Sequence, residues 1–229
     1  MTDRYLYLIL DVAAISVPFL VSFYPKVRFA STFNRVMPAI VLPMVLFIIW
    51  DVYFTKWGYW GFNDTYLMGI RIFGLPIEEW LFFICIPFAC LFTYFAFKHI
   101  KPIQIPKFNY VVFGLGIFLF VIALYNTDRA YTLWTGIGLG AFLIYLAWTN
   151  KPYLPQFFLS YLVILIPFFI INGILTGSWI EDQVVWYDNA ENLGIRLGTI
   201  PVEDPFYGML LLLMNTVIWE EMCIKKPWR

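Results

Sequence analysis

Long apolar stretches separated by short polar ones dominate the pattern of the chain. Seven stretches approach the roughly 17–25 predominantly apolar residues that a membrane-crossing helix needs, and they fall at 5–24, 37–54, 77–97, 109–125, 131–148, 157–175 and 205–222. The fourth stretch is short, and only five residues separate it from the fifth. The pattern predicts an all-α membrane protein with about seven transmembrane helices.

Composition supports this class and excludes several others. Of the 229 residues, 62% are hydrophobic and 13% are charged, whereas soluble domains are about 45–50% apolar and about 25% charged. A soluble fold of this length has too little interior to bury so much apolar surface. The formal net charge is zero, so the chain lacks the basic surface of a nucleic-acid binder. Membrane lipid is therefore the expected surrounding.

One segment of the chain is repeated 125 residues later. Residues 69–79 read Gly-Ile-Arg-Ile-Phe-Gly-Leu-Pro-Ile-Glu-Glu, and residues 194–204 read Gly-Ile-Arg-Leu-Gly-Thr-Ile-Pro-Val-Glu-Asp. Upstream, with one residue of slippage, the residues that close the preceding stretches also correspond: Asp51, Thr55 and Trp57 with Asn172, Thr176 and Trp179. Agreement at corresponding places in the two halves predicts an internal repeat.

The repeat sets an architecture of two parallel three-helix units joined by a linker helix. The predicted divisions are 1–100 (spans 1–3), 101–128 (span 4) and 129–229 (spans 5–7). Three spans reverse the side of the membrane and the fourth restores it, so the two units are related by an axis along the membrane normal. Both copies of the Pro-x-Glu-acid motif then lie on one side, where their carboxyl groups face each other.

Basic residues predict the orientation. The side that holds the N-terminus carries five of them, Arg4, Lys56, Arg71, Arg129 and Arg196. The opposite side carries ten, namely Lys26, Arg28, Arg35, Lys98, Lys101, Lys107, Lys151, Lys225, Lys226 and Arg229. We therefore expect a multi-pass protein of the cell (inner) membrane with a cytoplasmic C-terminus and with the acidic motifs on the outer side.

The motif acids are the main candidates for chemistry. Pro76 and Pro201 suit the first position of a helix, which places Glu78, Glu79, Glu203 and Asp204 in or beside the first turns of spans 3 and 7. Helix capping alone would account for one such motif. Two copies, each with two adjacent acids near apolar depth, favour a functional site, because acids inside spans are costly. A protonated and an ionised carboxyl in one site would supply an acid and a base.

Other residues are expected to support the site. Arg71 and Arg196 are candidate charge partners of the acids, or else interfacial arginines whose charged ends reach water. Asp51 and Asn172 either bond neighbouring helices or belong to the site, and Asp11 is a lone acid of open role. Aromatic residues near the span ends are first interpreted as an interfacial belt. One or two of their rings could instead face a cation. These residues are Trp57, Tyr59, Trp60, Trp179, Trp186 and Tyr187.

Several chemistries are missing from the sequence. No cluster of histidine, cysteine and acids has metal-ligand spacing, and the glycines of Gly136-Ile-Gly-Leu-Gly lack the dinucleotide spacing. Cys85, Cys90 and Cys223 lie in or near apolar runs and read as small buried hydrophobes. We therefore expect neither a metal nor a cofactor.

The twin motif resembles that of the integral membrane lycopene cyclases of the heterodimeric or fusion type. The similarity covers essentially the whole chain and is most specific at residues 73–80, Phe-Gly-Leu-Pro-Ile-Glu-Glu-Trp, and 198–206, Gly-Thr-Ile-Pro-Val-Glu-Asp-Pro-Phe. In that family two small three-span units are separate proteins or are fused, as in the N-terminal part of the fungal bifunctional lycopene cyclase/phytoene synthase.

The resemblance implies a redox-neutral lycopene β-cyclase of carotenoid biosynthesis. Lycopene, or a related C40 carotenoid, would have its ψ end groups closed to β rings through γ-carotene to β-carotene, with no cofactor. Glu78 and Glu203 would form the acid/base pair, tuned by Glu79 and Asp204. A carotenoid hydratase, in which water captures the same cation, remains open, as does a non-catalytic carotenoid-binding protein or proton-coupled transporter. Oligomeric state and ring type are likewise open.

Overall fold

Seven α-helices form the framework of the protein. The computed structural model describes residues 3–225, with no account of the side chains of residues 224 and 225. The helices are α1 Leu6–Ser22, α2 Phe33–Trp57, α3 Ile77–Ile100, α4 Phe108–Leu124, α5 Ala130–Trp148, α6 Leu154–Leu175 and α7 Asp204–Lys225. Each occupies one predicted apolar stretch, so the all-α membrane architecture is confirmed.

Five of the helices in the described part of the chain are long and apolar enough to cross a membrane: α1 and α2, each with its preceding 3₁₀ turn, and α3, α5 and α6. Helix α4, with 17 residues, is shorter. Many large apolar side chains of these helices are exposed on the protein surface, for example Leu20 at 70% and Leu162 at 64%. An apolar exterior of this kind suits contact with lipid.

The two long connections between helices are ordered and carry six short strands. They are β1 Trp60–Phe62, β2 Arg71–Ile72, β3 Leu75–Pro76, β4 Val185–Tyr187, β5 Arg196–Leu197 and β6 Ile200–Pro201. Strands β2 and β3 form a hairpin ahead of α3, and β5 and β6 form the equivalent hairpin ahead of α7. Both long connections are therefore ordered segments that lead into the third helix of each half.

A local two-fold relation between the halves is visible where β1 meets β4. The strands are antiparallel, and Gly61 faces Trp186, its own repeat equivalent. The Asn63 amide donates to the Val184 carbonyl at 2.9 Å, and the Asp188 amide donates to the Tyr59 carbonyl at 2.9 Å. Asp188 is the repeat equivalent of Asn63, and Val184 is the repeat equivalent of Tyr59, each 125 residues later. The two bonds are therefore equivalents of each other. The halves are therefore parallel repeats that meet on one side, as predicted.

The third helix of each half lies at the centre of the bundle. Helix α1 packs on α3 and α5 packs on α7, while the second helix of each half crosses to the third helix of the other, α2 to α7 and α6 to α3. Buried aromatic and aliphatic residues such as Phe83, Leu91, Leu143 and Leu213 fill the contacts. At the end remote from the motifs, Glu220 of α7 accepts from Tyr94 and Lys98 of α3.

Glycines bring α4 against α5 at backbone contact distance. A Cβ on Gly116 would lie 2.9 Å from the Gly140 carbonyl oxygen, and a Cβ on Gly140 would lie 2.8 Å from the Gly116 carbonyl oxygen. Small residues at such crossings let membrane helices pack closely without an aqueous driving force. The glycine run of α5, which lacks dinucleotide spacing, thus serves the docking of the linker helix.

We expect Gly140→Leu to separate α4 from α5 and to destabilise the protein by about 1–3 kcal/mol or more, because a bulky side chain there overpacks a backbone contact. Thermal unfolding in detergent micelles, followed by size-exclusion chromatography, measures the loss. The matched control is Gly114→Leu in the same hairpin, where a Cβ meets no atom within 4 Å. Equal stability of the two variants would contradict the close-packing account.

The motif prolines do not stand at the first helical position, which corrects the sequence prediction. Pro76 ends β3 and is the N-cap of α3, with extended backbone (φ −63°, ψ 150°). Pro201 ends β6, and α7 begins three residues later at Asp204. The prolines are instead the last residues of the hairpins. In α7 it is Pro205 that lies in the first turn, where the missing N–H of a proline costs no helical hydrogen bond.

Candidate active site

The four motif carboxyl groups are buried where the hairpins lead into α3 and α7. The exposed fractions are 0% for Glu78, 7% for Glu79, and 4% for both Glu203 and Asp204. The hairpins fix these positions by equivalent backbone bonds, from the Ile77 amide to the Ile70 carbonyl at 2.9 Å and from Val202 to Ile195 at 3.0 Å. Buried acids need partners to offset the loss of water, and the partners differ within each pair.

The first acid of each motif holds the preceding loop. Glu78 Oε1 accepts from the Met68 amide at 2.6 Å, and Glu203 Oε1 accepts from the Leu193 amide at 2.8 Å. The two bonds are again 125 residues apart. Glu203 also accepts from the Thr132 hydroxyl at 2.6 Å. Neither Glu78 nor Glu203 lies among the residues that line the central cavity.

The second acid of each motif accepts from a tyrosine on the first helix of its own half. The Tyr7 hydroxyl donates to Glu79 Oε2 at 2.6 Å, and the Tyr131 hydroxyl donates to Asp204 Oδ1 at 2.7 Å. Both tyrosines are buried, at 1% and 3% exposure. Glu79 and Asp204 therefore have matching places in the two halves, and both reach the cavity.

The polar residues that close α2 and α6 contact these same acids. The Asn172 amide donates to Asp204 Oδ2 at 2.7 Å. At the equivalent place in the other half, the Asp51 and Glu79 carboxyl groups are neighbours that both line the cavity, and Asp51 Oδ1 accepts from the Tyr207 hydroxyl at 3.1 Å. One half thus holds an acid–acid pair and the other an acid–amide pair.

A single cavity of about 310 Å³ connects the two acid groups. It is enclosed mainly by apolar side chains of α1, α3, α6 and α7, while Asp51, Glu79, Asn172 and Asp204 supply its polar end. The volume falls at the lower end of the range for ligand sites, which are concave, mostly apolar and carry a few placed polar groups. Of the four motif acids, the second of each pair, Glu79 and Asp204, meet at this cavity.

Aromatic rings form the wall beside the carboxyl groups. Trp60 lines the cavity and packs against Tyr131, with ring centroids 5.1 Å apart, and against Tyr207 at 6.0 Å. Tyr187, on strand β4, donates to Asp204 Oδ2 at 3.1 Å. Burial, together with the adjacent Asp204 carboxylate, raises the pKa of the Tyr187 hydroxyl above its usual range, so the hydroxyl stays protonated and remains a donor. Of the predicted aromatic residues, Trp60 and Tyr187 are the two that face the cavity.

The two motif arginines bind groups other than the motif acids. Arg71 contacts Asp64 Oδ1 at 2.6 Å and the Gly74 carbonyl at 2.9 Å. Arg196 makes the equivalent pair of bonds 125 residues on, to Asn189 Oδ1 at 2.5 Å and to the Thr199 carbonyl at 3.2 Å. Both guanidinium groups therefore brace the hairpin that precedes a motif, in place of the expected pairing with Glu78 and Glu203.

Trp57 and Trp179 lie away from the cavity, with exposures of 56% and 80%. Exposed tryptophans at the end of a membrane helix and in the loop that follows one suit an interfacial belt. Asp11, whose role was open, is buried on α1 next to the Glu78 and Glu79 carboxyl groups, and its Oδ2 has no hydrogen-bond partner within residues 3–225. Within the same residues, no group of three or more metal-ligating side chains is arranged to hold an ion.

The tyrosines around the acids were missed at the sequence level. Tyr7 and Tyr131 stand 124 residues apart, within one residue of the offset of the motifs, so extending the repeat comparison to the first helix of each half would have paired them. Tyr207 offers no such signal, since Phe82 occupies its equivalent place. Its hydroxyl reaches Asp51 only because α2 crosses to α7 in the bundle.

Fold and cavity together define an integral membrane protein with buried carboxyl groups at the end of an apolar chamber. The family model described as Lycopene cyclase matches residues 4–97 and 128–222, which are the two repeated segments. The chain belongs to the lycopene cyclase family and is accordingly an enzyme, an intramolecular cyclase. No curated protein and no solved structure matches the chain.

Proposed function

We propose that this enzyme is a lycopene β-cyclase that closes the ψ end groups of lycopene by acid–base catalysis within the cavity. The observation that carries the proposal is the convergence of Asp51, Glu79 and Asp204 from both halves on one apolar chamber. A C40 hydrocarbon dissolves in the bilayer, so a chamber inside a membrane protein suits it. Both lycopene cyclase units are present in this one chain, as in the fusion-type enzymes.

The Asp51–Glu79 pair is the proton donor in this proposal. We infer that these neighbouring carboxyl groups share one proton, since two carboxyl groups can hydrogen-bond to each other only when one of them is protonated. The pair faces the cavity and is further ordered by the hydroxyl groups of Tyr7 and Tyr207. A proton held by this pair is available to an alkene that enters the chamber.

Asp204 is the base in this proposal. Three neutral donors, from Tyr131, Asn172 and Tyr187, reach its two carboxylate oxygens at 2.7–3.1 Å. Hydrogen bonds from neutral donors favour the charged form of a carboxyl group. The proposal thus places a protonated carboxyl pair and a carboxylate held by three donors in one site, the combination that acid–base catalysis needs.

The reaction balances without an oxidant, a reductant or added water. The donor pair delivers a proton to the terminal carbon–carbon double bond, which leaves a tertiary carbocation. The neighbouring double bond attacks this cation, one carbon–carbon bond closes the six-membered ring, and the charge moves to a ring carbon. Asp204 then removes a ring proton and forms the ring double bond. Transfer of that proton back to the donor pair resets the site.

The aromatic wall suits the cationic stage. The rings of Trp60 and Tyr207 border the chamber, and the face of an aromatic ring attracts a cation within about 6 Å. The apolar lining keeps water away from the cation, which favours loss of a proton over capture as an alcohol. This lining is the specific reason to prefer a cyclase over the hydratase alternative.

The first motif acids, Glu78 and Glu203, have a positioning role in this proposal. Each holds the loop before its helix through a backbone amide, and each adjoins the acid that reaches the cavity. The sequence-based assignment of Glu78 and Glu203 as the acid/base pair stays a prediction, and paired variants separate it from the assignment made here.

The distribution of basic residues supports a cell-membrane location with the motifs on the outer side and the C-terminus in the cytoplasm. Lys98 and Lys151, at the ends of α3 and α5 remote from the cavity, belong to the more basic side. Lys226 and Arg229, which add to this bias, lie outside the described residues.

Expression in a lycopene-accumulating bacterial host tests the proposed activity. The expected product has the mass of lycopene and the retention time and absorption spectrum of γ- or β-carotene, because cyclisation is an isomerisation. Chromatography with mass detection measures it. A product heavier by one or two waters would identify a hydratase, and unchanged lycopene beside abundant membrane-inserted protein would overturn the proposal.

A further inference from the structure

The cavity is not centred on the two-fold relation between the halves. In the repeat, α1 corresponds to α5 and α2 corresponds to α6. The cavity walls include several residues of α1 and many of α6, whereas α5 supplies only Tyr131 and α2 supplies only Asp51. A symmetric pair of three-helix units would place the same space on both sides. The chamber therefore extends to one flank of the bundle, between α1 and α6.

Side-chain size explains which flank is closed. On the α2–α5 flank, Phe47 and Trp50 stack together with centroids 5.7 Å apart, and each packs against Tyr207, at 4.9 Å and 5.3 Å. Phe83 of α3 adds a ring 6.0 Å from Phe47. These rings fill the region that corresponds to the cavity.

The α1–α6 flank keeps one ring, Phe168 at the repeat equivalent of Phe47, but lacks the rings equivalent to Trp50 and Phe83. At the repeat equivalent of Phe83, helix α7 carries Gly208, and a Cβ there would lie 3.7 Å from the Phe168 ring of α6. At the equivalent of Trp50, helix α6 carries Ile171, a smaller side chain. The residues that border the flank are cavity-lining and only partly buried or exposed: Ala14, Pro18, Pro167, Phe168 and Ile171.

The flank lies at the depth of the lipid chains. Ala14 is eight residues from the start of α1 at Leu6, and Pro167 is eight residues from the end of α6 at Leu175, which is about 12 Å along each helix from the carboxyl side. Both helices contain an internal proline here, Pro18 and Pro167. A proline inside a helix removes a backbone bond and disfavours straight, close packing of the two helices.

We infer that the α1–α6 flank, bordered by Ala14, Pro18, Pro167, Phe168 and Ile171, is the lateral opening through which the acyclic end of a C40 polyene enters the cavity from the bilayer. The inference rests on the proposed function. The occupant is the polyene because the opening leads directly to the carboxyl groups. A cavity of about 310 Å³ holds an end group, while the remainder of the chain lies in the opening and in the lipid.

Ala14→Trp tests the opening. The indole is expected to obstruct it and to lower lycopene turnover by roughly tenfold or more, because an overpacked contact excludes the chain. The matched control is Ala13→Trp, one residue away on the exposed face of α1, which is expected to keep wild-type turnover. Both variants are compared at equal amounts of membrane-inserted protein, measured by immunoblot and size-exclusion chromatography.

A second readout is independent of catalysis. The total C40 pigment that co-purifies with the full-length protein, cyclised or not, is measured per mole of protein. Loss of pigment and turnover in Ala14→Trp, with both retained in Ala13→Trp, supports the opening. Retention of both in Ala14→Trp overturns it. If the wild type fails to cyclise lycopene, the proposed function fails while the pigment comparison still decides the opening.

A graded series protects the test against misfolding. Ala14→Val and Ala14→Phe, each paired with the same change at Ala13, are expected to reduce turnover in order of side-chain size. A loss that follows protein abundance instead of size would overturn the inference. The inference would also be overturned if the wild type and Ala13→Trp co-purified with phospholipid but with no C40 pigment.

Discussion

Glu79→Gln and Asp204→Asn are each expected to lower lycopene turnover by about 10²–10⁴-fold, the usual contribution of a positioned acid or base. Both carboxyl groups line the cavity, and both substitutions keep the size and shape of the side chain while removing its ability to exchange a proton. Pigment analysis of a lycopene-accumulating host, normalised to membrane-inserted protein, measures the effect.

The neighbouring acids supply the matched comparison. Glu78→Gln and Glu203→Gln remove a charge at adjacent positions that accept from backbone amides and lie outside the cavity lining. Their expected effect is a lower yield of folded protein, with turnover per folded molecule reduced much less. If instead Glu78→Gln and Glu203→Gln abolish turnover at normal abundance, while Glu79→Gln and Asp204→Asn remain active, the first acids form the acid/base pair.

Fold class and repeat were predictable from the sequence because both leave strong one-dimensional signals. Apolar length alone marks a membrane helix, so all seven helices lie where the hydropathy pattern placed them. The 125-residue offset showed that the motifs open the third helix of each half. Because the second of those two helices follows the first by an even number of spans, the sequence also predicted that both motifs lie on the same side of the membrane. The placement of Asp51 and Asn172 with the motif acids also followed the repeat.

The sequence did not predict which acid of each motif reaches the cavity and which one holds the preceding loop. Whether Glu78 or Glu79 faces a cavity depends on the angle at which the hairpin delivers the chain to α3. The interpretation of Arg71 and Arg196 as charge partners of the motif acids, one of two left open, likewise overlooked local competition. Asp64 and Asn189 lie seven residues before Arg71 and Arg196 and take up the guanidinium groups within the same loops. Long-range contacts such as that of Tyr207 with Asp51 arise only in the assembled bundle.

In the proposed mechanism, a small departure from the symmetry of the repeat distinguishes the donor from the base. Tyr7 and Tyr131 hold Glu79 and Asp204 in the same way, so the first helices do not distinguish donor from base. The difference lies at the ends of α2 and α6. In the proposed mechanism an acid there, Asp51, shares a proton with Glu79, whereas the Asn172 amide donates to the Asp204 carboxyl group.

Exchange of these two residues is therefore a sharp test of the mechanism. Asp51→Asn removes the proton-sharing pair and is expected to lower turnover by about 10²–10⁴-fold, since Glu79 then loses the partner with which it shares the donated proton. Asn172→Asp alone gives both halves an acid–acid pair and removes the donor that stabilises Asp204. The double variant Asp51→Asn, Asn172→Asp restores one pair and one carboxylate with their positions exchanged.

Partial recovery in the double variant is the expected result, to roughly tenfold or more above Asp51→Asn, because coupled groups in one site show strongly non-additive effects. Full recovery is not expected, since the Tyr207 and Tyr187 hydroxyl groups keep their original places beside Asp51 and Asp204. Turnover of all three variants is measured against wild type at equal membrane abundance. A double variant no better than the worse single variant would show that Asp51 and Asn172 act independently, and the shared-proton mechanism would then fail.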